Sequence, residues 1–323
     1  MPLKWTHKNI PPQNGRTIVV TGTGGLGFEE ALALARAGAN VIIAGRNAAK
    51  GTEAVNNLKQ TVPGASVTFE ILDLADLASI ADFGRRLRHD LERIDVLINN
   101  AGVMTPLTRK TTRDGFELQL GTNYLGHFAL TAHLLPLLMH GNNPRAVTLS
   151  SVAARGGAIN FDDLQAERSY KPMSAYSQSK LACLMFAFEL QRKSEVAGWG
   201  ITSIGTHPGI SRTDLLRNAP GPNSVQGLMR SLLWFLFQPA AQGALPTLFA
   251  ATSPEARGGA YYGPDKMGEM RGYPDYAKPP ERSLEVHVAN RLWEVSETLT
   301  GVEFGTLPRS PIAPGAPAVT RGN

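Results

Sequence analysis

A chain of 323 residues that is 42 % hydrophobic and 18 % charged can bury a large core, which excludes a disordered polypeptide. Its 32 basic and 27 acidic residues leave a net charge of +5. Apart from small groups such as Arg85-Arg86-Leu87-Arg88 the cations are scattered, a solvated surface and not a nucleic-acid track. The one cysteine, Cys183, rules out an intrachain disulfide, and its apolar flanks from Leu181 to Phe188 read it as a buried structural thiol.

Residues 1–15, polar and carrying Pro11-Pro12, read as an N-terminal arm without the apolar stretch of a signal peptide. From 16 to 303 the chain reads as one domain of alternating strands and helices. Strands are expected at Thr17–Val20, Val41–Ala44, Val67–Ile71, Asp95–Ile98, Ala146–Ser150 and Ile201–Thr206. Helical patterns lie between them, among them Gly25–Ala37, Leu77–Leu91, Thr112–Met139 and Ser174–Val196. The strands are apolar throughout instead of alternating, as in a parallel sheet covered on both faces, so the fold class is α/β with a doubly wound sheet. Residues 211–240 interrupt the rhythm. Within them Leu228–Phe237 contains Arg230 and is shorter than the ~20 residues a membrane span needs. It reads either as a helical lid over an apolar substrate pocket or as an interfacial helix. A last strand at Gly259–Tyr262, a helix near Leu284–Leu299 and a flexible tail over 304–323 complete the chain. These features describe a cytoplasmic protein with no membrane span.

In such a sheet, ligands bind beyond the carboxyl ends of the strands, so the residues after each strand matter most. After the first come Gly22, Gly24, Gly25, Leu26 and Gly27, running into a helix. Such a turn lets the backbone approach a pyrophosphate, although tight turns use glycine too. After the second stand Arg46 and Asn47, and no Asp or Glu occurs between Val41 and Lys50; an arginine there suits the 2′-phosphate of NADP, or simply opens a surface helix. After the third, Asp73 and Leu74 either meet the adenine or, in the case of Asp73, cap the helix beginning near Asp76. After the fourth, Asn100-Ala101-Gly102 is small enough to lie against a cofactor. After the fifth comes Ser151, and 25 residues further on Tyr176 and Lys180 stand at i and i+4 on one helix face. A phenol titrates near ~10, and a neighbouring ammonium with an oxidised nicotinamide would favour its phenolate. His127, His133 and His140 are spaced six and seven apart, which makes no ligand pair, so no metal is expected.

Taken together, these residues resemble the short-chain dehydrogenase/reductase superfamily over about residues 16 to 300, which implies a Rossmann fold. The resemblance assigns Asn123, Ser151, Tyr176 and Lys180 as a catalytic tetrad. It also places His207-Pro208-Gly209, with Ile210 and Thr213, at the nicotinamide, which Tyr176 and Lys180 also touch. Segments Asp114-Gly115-Phe116-Glu117, Asn123–Phe128, Phe161-Asp162-Asp163-Leu164-Gln165 and Arg291–Ser296 resemble the retinol-dehydrogenase-like branch. The opening Lys4-Trp5-Thr6 and Ile10-Pro11 are similar to soluble bacterial oxidoreductases of that branch. The implied activity is NADP(H)-dependent interconversion of a lipophilic carbonyl and an alcohol. In it Ser151 would hold the substrate oxygen, Tyr176 would move the proton, Lys180 would hold the ribose, and Asn123 would anchor a water leading to solvent. Relatives form dimers or tetramers through helices like Thr112–Met139 and Ser174–Val196. One departure stands out: only Thr23 and Gly24 separate Gly22 from Gly25-Leu26-Gly27, one residue fewer than the family pattern. Gly24 supplies freedom for the tighter turn. The alternative reading is a nucleotide-binding sensor or scaffold whose catalysis the short loop has impaired.

Overall fold

Eight strands form one sheet: β1 (Thr17–Thr21), β2 (Asn40–Gly45), β3 (Val67–Ile71), β4 (Val96–Asn99), β5 (Arg145–Leu149), β6 (Thr202–Thr206), β7 (Tyr261–Lys266) and β8 (Arg271–Tyr276). This computed structural model describes residues 4–211 and 238–305. The strand order is β3-β2-β1-β4-β5-β6-β7-β8, with β1 to β7 parallel and β8 antiparallel at the edge. On one face lie α1 (Gly25–Arg36), α2 (Ala48–Thr61) and α8 (Leu245–Thr252), preceded by the short α7 (Ala240–Gly243). On the other lie α3 (Leu77–Asp90), α5 (Gly126–Met139), α6 (Pro172–Ala197) and α9 (Val286–Thr300). Inner strands such as β2 and β4 thus have a core on each side and do not alternate. Strand β3, at the sheet edge, carries Thr68 and Glu70 between its apolar residues and is only partly buried, contrary to the expectation of strands apolar throughout. Chain direction across the sheet reverses between β1 and β4, opening a crevice at their carboxyl ends.

The six expected strands and the final one all form, with ends displaced by a few residues. Two features differ from the sequence reading. The helix expected over Thr112–Met139 begins only at α4 (Leu118–Leu120). Thr111 and Glu117 pair as an antiparallel bridge across a turn with Gly115 at φ 88°. The Glu117 carboxylate then caps the helix, accepting from the backbone N–H groups of Gln119 (3.0 Å) and Leu120 (2.7 Å). Strand β8 went unnoticed because Gly272 and Pro274 break its pattern; its position at the edge tolerates them. Most of the segment expected to form a lid (212–237, with Thr213) and the tail from 306 lie outside the described residues.

The arm at the N-terminus is tied down: Trp5 stands edge-on to Phe249 at 5.4 Å, and Gln13 N–H donates to Ala37 O at 2.8 Å. On the opposite face α9 closes an aromatic cluster in which Phe128 meets Trp293 and Phe304, each at 5.0 Å between centroids. Part of the α5 and α6 surface is therefore covered by the chain itself. Among the described residues no helix is long and apolar enough to cross a membrane.

Glu30 sits fully buried on α1. Burial pushes its carboxyl up to about 8 from 4.5, and the Thr247 hydroxyl offsets only part of this. The fold therefore prefers the protonated acid. Its stabilising contribution is whole below about pH 4.5 and is lost as pH rises through about 8. Glu30→Gln, neutral at every pH, should melt like the parent near pH 5 and hotter than the parent at pH 9. Thermal melts across that range check this, and parallel curves would contradict it.

Candidate active site

The glycine turn after β1 is shaped by two left-handed residues, Gly22 (φ 104°) and Gly25 (φ 55°). Gly24 is extended at φ −142°, so the freedom that accommodates the short loop lies beside it rather than in it. As N-cap of α1, Gly24 offers no side-chain oxygen to the first amides, which leaves those N–H groups for an anion. A Cβ on Gly22 would stand 2.8 Å from Asn100 Nδ2, and one on Gly27 would stand 2.6 Å from Gly22 O. The turn is a bare backbone cradle of the kind a pyrophosphate fits.

Around it, Arg46 is exposed, and Asn47 caps α2 by accepting from Lys50 N at 3.0 Å. Asp73 is half-buried and folds one oxygen onto Ala75 N (2.9 Å); Asp76, not Asp73, caps α3, accepting from Ala78 N and Ser79 N. The carbonyl of Leu74 packs against Gly126, where no Cβ would fit. Asn100 N and Ala101 N both donate to Thr21 Oγ (2.9 and 3.0 Å), and Asn100 Nδ2 donates to Thr21 O at 2.7 Å. The loop after β4 is thereby tied to the end of β1.

Tyr176 and Lys180 lie buried on α6, 8 % and 6 % exposed. Lys180 Nζ donates to Leu149 O at 3.0 Å, at the end of β5, and Ser150 Oγ donates to Lys180 O at 2.7 Å. Ser151 caps the 3-10 turn Val152–Gly156, its Oγ accepting from Ala153 N at 3.2 Å, so its own proton remains to be donated. Gly157 ends that turn hard against Ser177 O, an approach only glycine permits, and this seats the Ser151 turn on the helix of Tyr176. Beside them, a Cβ on Gly102 would lie 3.0 Å from Asn123 Oδ1 and 3.7 Å from Lys180 Nζ, so all three share one wall.

Asn123 stands in a π turn, Gly121–Leu125, between α4 and α5. Its carboxamide is committed to protein groups: Oδ1 accepts from Val103 N (2.7 Å), while Nδ2 donates to Val103 O (3.0 Å) and Ser179 Oγ (2.9 Å). Its backbone carbonyl accepts from His127 Nδ1 (2.9 Å) and the thiol of Cys183 (3.1 Å). In this geometry the Asn123 carboxamide clamps the loop after β4.

His127, whose spacing from His133 and His140 makes no metal-ligand pair, has a role whose partners its sequence neighbourhood does not show. With Nδ1–H given to Asn123 O, its Nε2 accepts from the Thr21 hydroxyl at 3.0 Å, joining the π turn to the glycine loop. Burial lowers its pKa to about 4, with Lys180 adding to the effect, so the ring stays neutral. The motif Asn123–Phe128 carried this signal; the partners could not be read without the fold. Beyond β6, Pro208 O accepts from Gln238 Nε2 (2.7 Å), and Ile210 N donates to Met270 O (2.8 Å), which pins the Pro-Gly turn from two sides.

The chain matches the model of the short chain dehydrogenase family over residues 16–222. It is 38 % identical to human retinol dehydrogenase 14 (Homo sapiens) over 305 residues, covering 90 % of this chain and 87 % of that one. It is likewise 38 % identical to polyprenol dehydrogenase of Homo sapiens over 308 residues, covering 92 % and 89 %. Among solved structures, an uncharacterised protein from Mycobacterium Paratuberculosis superposes with a TM-score of 0.78 at 38 % identity, covering 94 % of this chain and 99 % of that one. The RhlG/NADP complex of Pseudomonas aeruginosa shares the fold, with a TM-score of 0.61 at 24 % identity over 77 % of this chain and 94 % of that one.

Proposed function

The chain belongs to the short chain dehydrogenase family, and from that premise we propose that it is an NADP(H)-dependent oxidoreductase interconverting a lipophilic aldehyde or ketone and its alcohol. What supports this reading is that Lys180 and the turn capped by Ser151 both lie at the end of β5, with Tyr176 buried one helical turn before Lys180 on α6. Lys180 Nζ bonds Leu149 O, and Gly157 packs on α6. The cradle at Gly22, Gly25 and Gly27 and the uncapped start of α1 fit a dinucleotide pyrophosphate. When bound, the reduced nicotinamide supplies the hydride that reaches the carbonyl carbon.

In this reading Ser151 donates to the substrate oxygen, where negative charge gathers as the carbonyl is reduced. Tyr176 gives its proton to that same oxygen, and solvent restores it. Lys180 spends one N–H on Leu149 O and has two more for the ribose hydroxyls. Asn123 keeps the loop after β4 in place through Val103. The relatives' names, retinol and polyprenol dehydrogenase, motivate the apolar substrate class.

NADPH and NADH compared across a panel of apolar aldehydes and ketones test the reading. Tight binding of nucleotide without turnover on any of them would favour a sensor. Arg46 is exposed at the end of β2 and forms no ion pair among the described residues, so it is available to a 2′-phosphate. Arg46→Asp is expected to weaken NADPH binding by about tenfold and to strengthen NADH binding. Fluorescence titration with both nucleotides decides it; an unchanged preference would remove Arg46 from the site.

A further inference from the structure

The hairpin between β7 and β8 carries two non-glycine residues in the left-handed region, Met267 (φ 53°) and Glu269 (φ 68°). Side chains rarely occupy that region unless their surroundings hold them there, and such outliers gather at functional sites. Glu269 is held from two directions. Its Oε2 accepts from Arg155 Nη2 at 2.6 Å and from His207 Nε2 at 3.1 Å, and its Oε1 accepts from Lys278 N at 3.0 Å. Arg155 also donates to Gly268 O at 3.2 Å.

Each arm ends at an element of the site. Arg155 belongs to the 3-10 turn Val152–Gly156, which Ser151 caps, so anchoring it fixes the turn that aims the serine hydroxyl. His207 is fully buried and immediately precedes Pro208-Gly209. Its Nδ1 accepts from Gly209 N at 3.2 Å, which leaves the ring proton on Nε2, directed at Glu269. Gly209 is itself left-handed (φ 61°) and lies against Met270 O, where a Cβ would collide. Charge-assisted bonds to a shared carboxylate oxygen are short and strongly directional.

We propose that Glu269 is a positioning residue, holding the Ser151 turn through Arg155 and the Pro208-Gly209 turn through His207 at one fixed separation. The proposal rests on the reading of those two turns as the substrate-oxygen and nicotinamide ends of an oxidoreductase site. It predicts that the two arms come apart in kinetics. Arg155 is half exposed, so Arg155→Met should fold. It should lower kcat about tenfold while NADPH binds within about twofold of the parent, because only the serine arm is cut. Glu269→Gln keeps one carbonyl oxygen that can still accept from both His207 and Arg155 but lacks the charge that strengthens the Arg155 bond. It should therefore lower kcat less than Arg155→Met does and leave NADPH binding close to the parent's. Glu269→Ala cuts both arms and should also raise the NADPH dissociation constant about tenfold. Arg155→Lys should recover most of the kcat lost in Arg155→Met.

Steady-state rates, NADPH fluorescence titration and melting temperature are read on all four variants. Parental kcat in Arg155→Met and Glu269→Gln would overturn the proposal, as would losses in both constants that simply follow the fall in melting temperature. A parent that binds NADPH without turning over any carbonyl sinks the oxidoreductase reading alone. The cofactor arm is then judged by the Glu269→Ala dissociation constant. A parent that binds no nucleotide sinks both.

Discussion

Tyr176→Phe is expected to lower kcat by about a thousandfold while leaving NADPH affinity and melting temperature close to the parent's. The phenol hydroxyl makes no hydrogen bond to a described residue, and the ring, 8 % exposed, is retained by phenylalanine. Removing the oxygen therefore strands no buried partner and opens no cavity, which separates chemistry from folding in a single variant. The neighbouring groups stay in place for the same reason. Lys180 is held by Leu149 O, and Ser151 is held by its own turn. What remains is a site that can polarise the substrate oxygen but cannot protonate it. Stopped-flow or steady-state measurement of nucleotide oxidation, with fluorescence titration beside it, reads both quantities. Turnover near the parent's would remove Tyr176 from the role of acid and leave the serine as the group to examine.

Much of this arrangement was legible because it depends on local chemistry. Runs such as Val41–Ala44 and Val96–Ile98 are continuously apolar, and a strand that must be buried on both faces has no other composition to use. Tyr176 and Lys180 share a face by helical spacing alone, and the glycine turn declares itself between a strand and a helix. The residues that escaped notice are those whose meaning depends on distant partners. His127 looks the same in sequence whether it binds a metal, lines a core or bridges Asn123 to Thr21, 106 positions away. Arg155 and Glu269 are 114 positions apart, and nothing in either neighbourhood announces the other. Asn123 was placed in the site by resemblance. Its occupied carboxamide, bound to Val103, is a fact of tertiary geometry that resemblance does not carry. Strand β8 was missed for a different reason: at a sheet edge, pairing on one side suffices, so the usual apolar signal is weak.

Gly27→Ala is expected to abolish most cofactor binding, raising the NADPH dissociation constant about a hundredfold, near 2.7 kcal/mol. An added Cβ would lie 2.6 Å from Gly22 O and 2.7 Å from Asn100 Nδ2, closer than real contacts allow. Neither neighbour can yield cheaply. Gly22 O belongs to the backbone of the turn itself, and Asn100 Nδ2 is bonded to Thr21 O at 2.7 Å. The helix start must therefore back away from the loop after β4, widening the cradle in which the amides of the turn converge. A loop of normal length could absorb part of that shift. This one has a residue fewer between Gly22 and Gly25, both already at positive φ, and so has little slack. The same overpacking should cost roughly 1–3 kcal/mol of stability, visible as a lower melting temperature. Gly24→Ala is the matched control. Gly24 is exposed and extended, a conformation alanine adopts freely, so affinity there should stay within about threefold. Titration of both variants ranks the two glycines by close packing against phosphate approach. Equal losses at both positions would mean that the cradle is lined by the Gly24 amide and not kept open by Gly27.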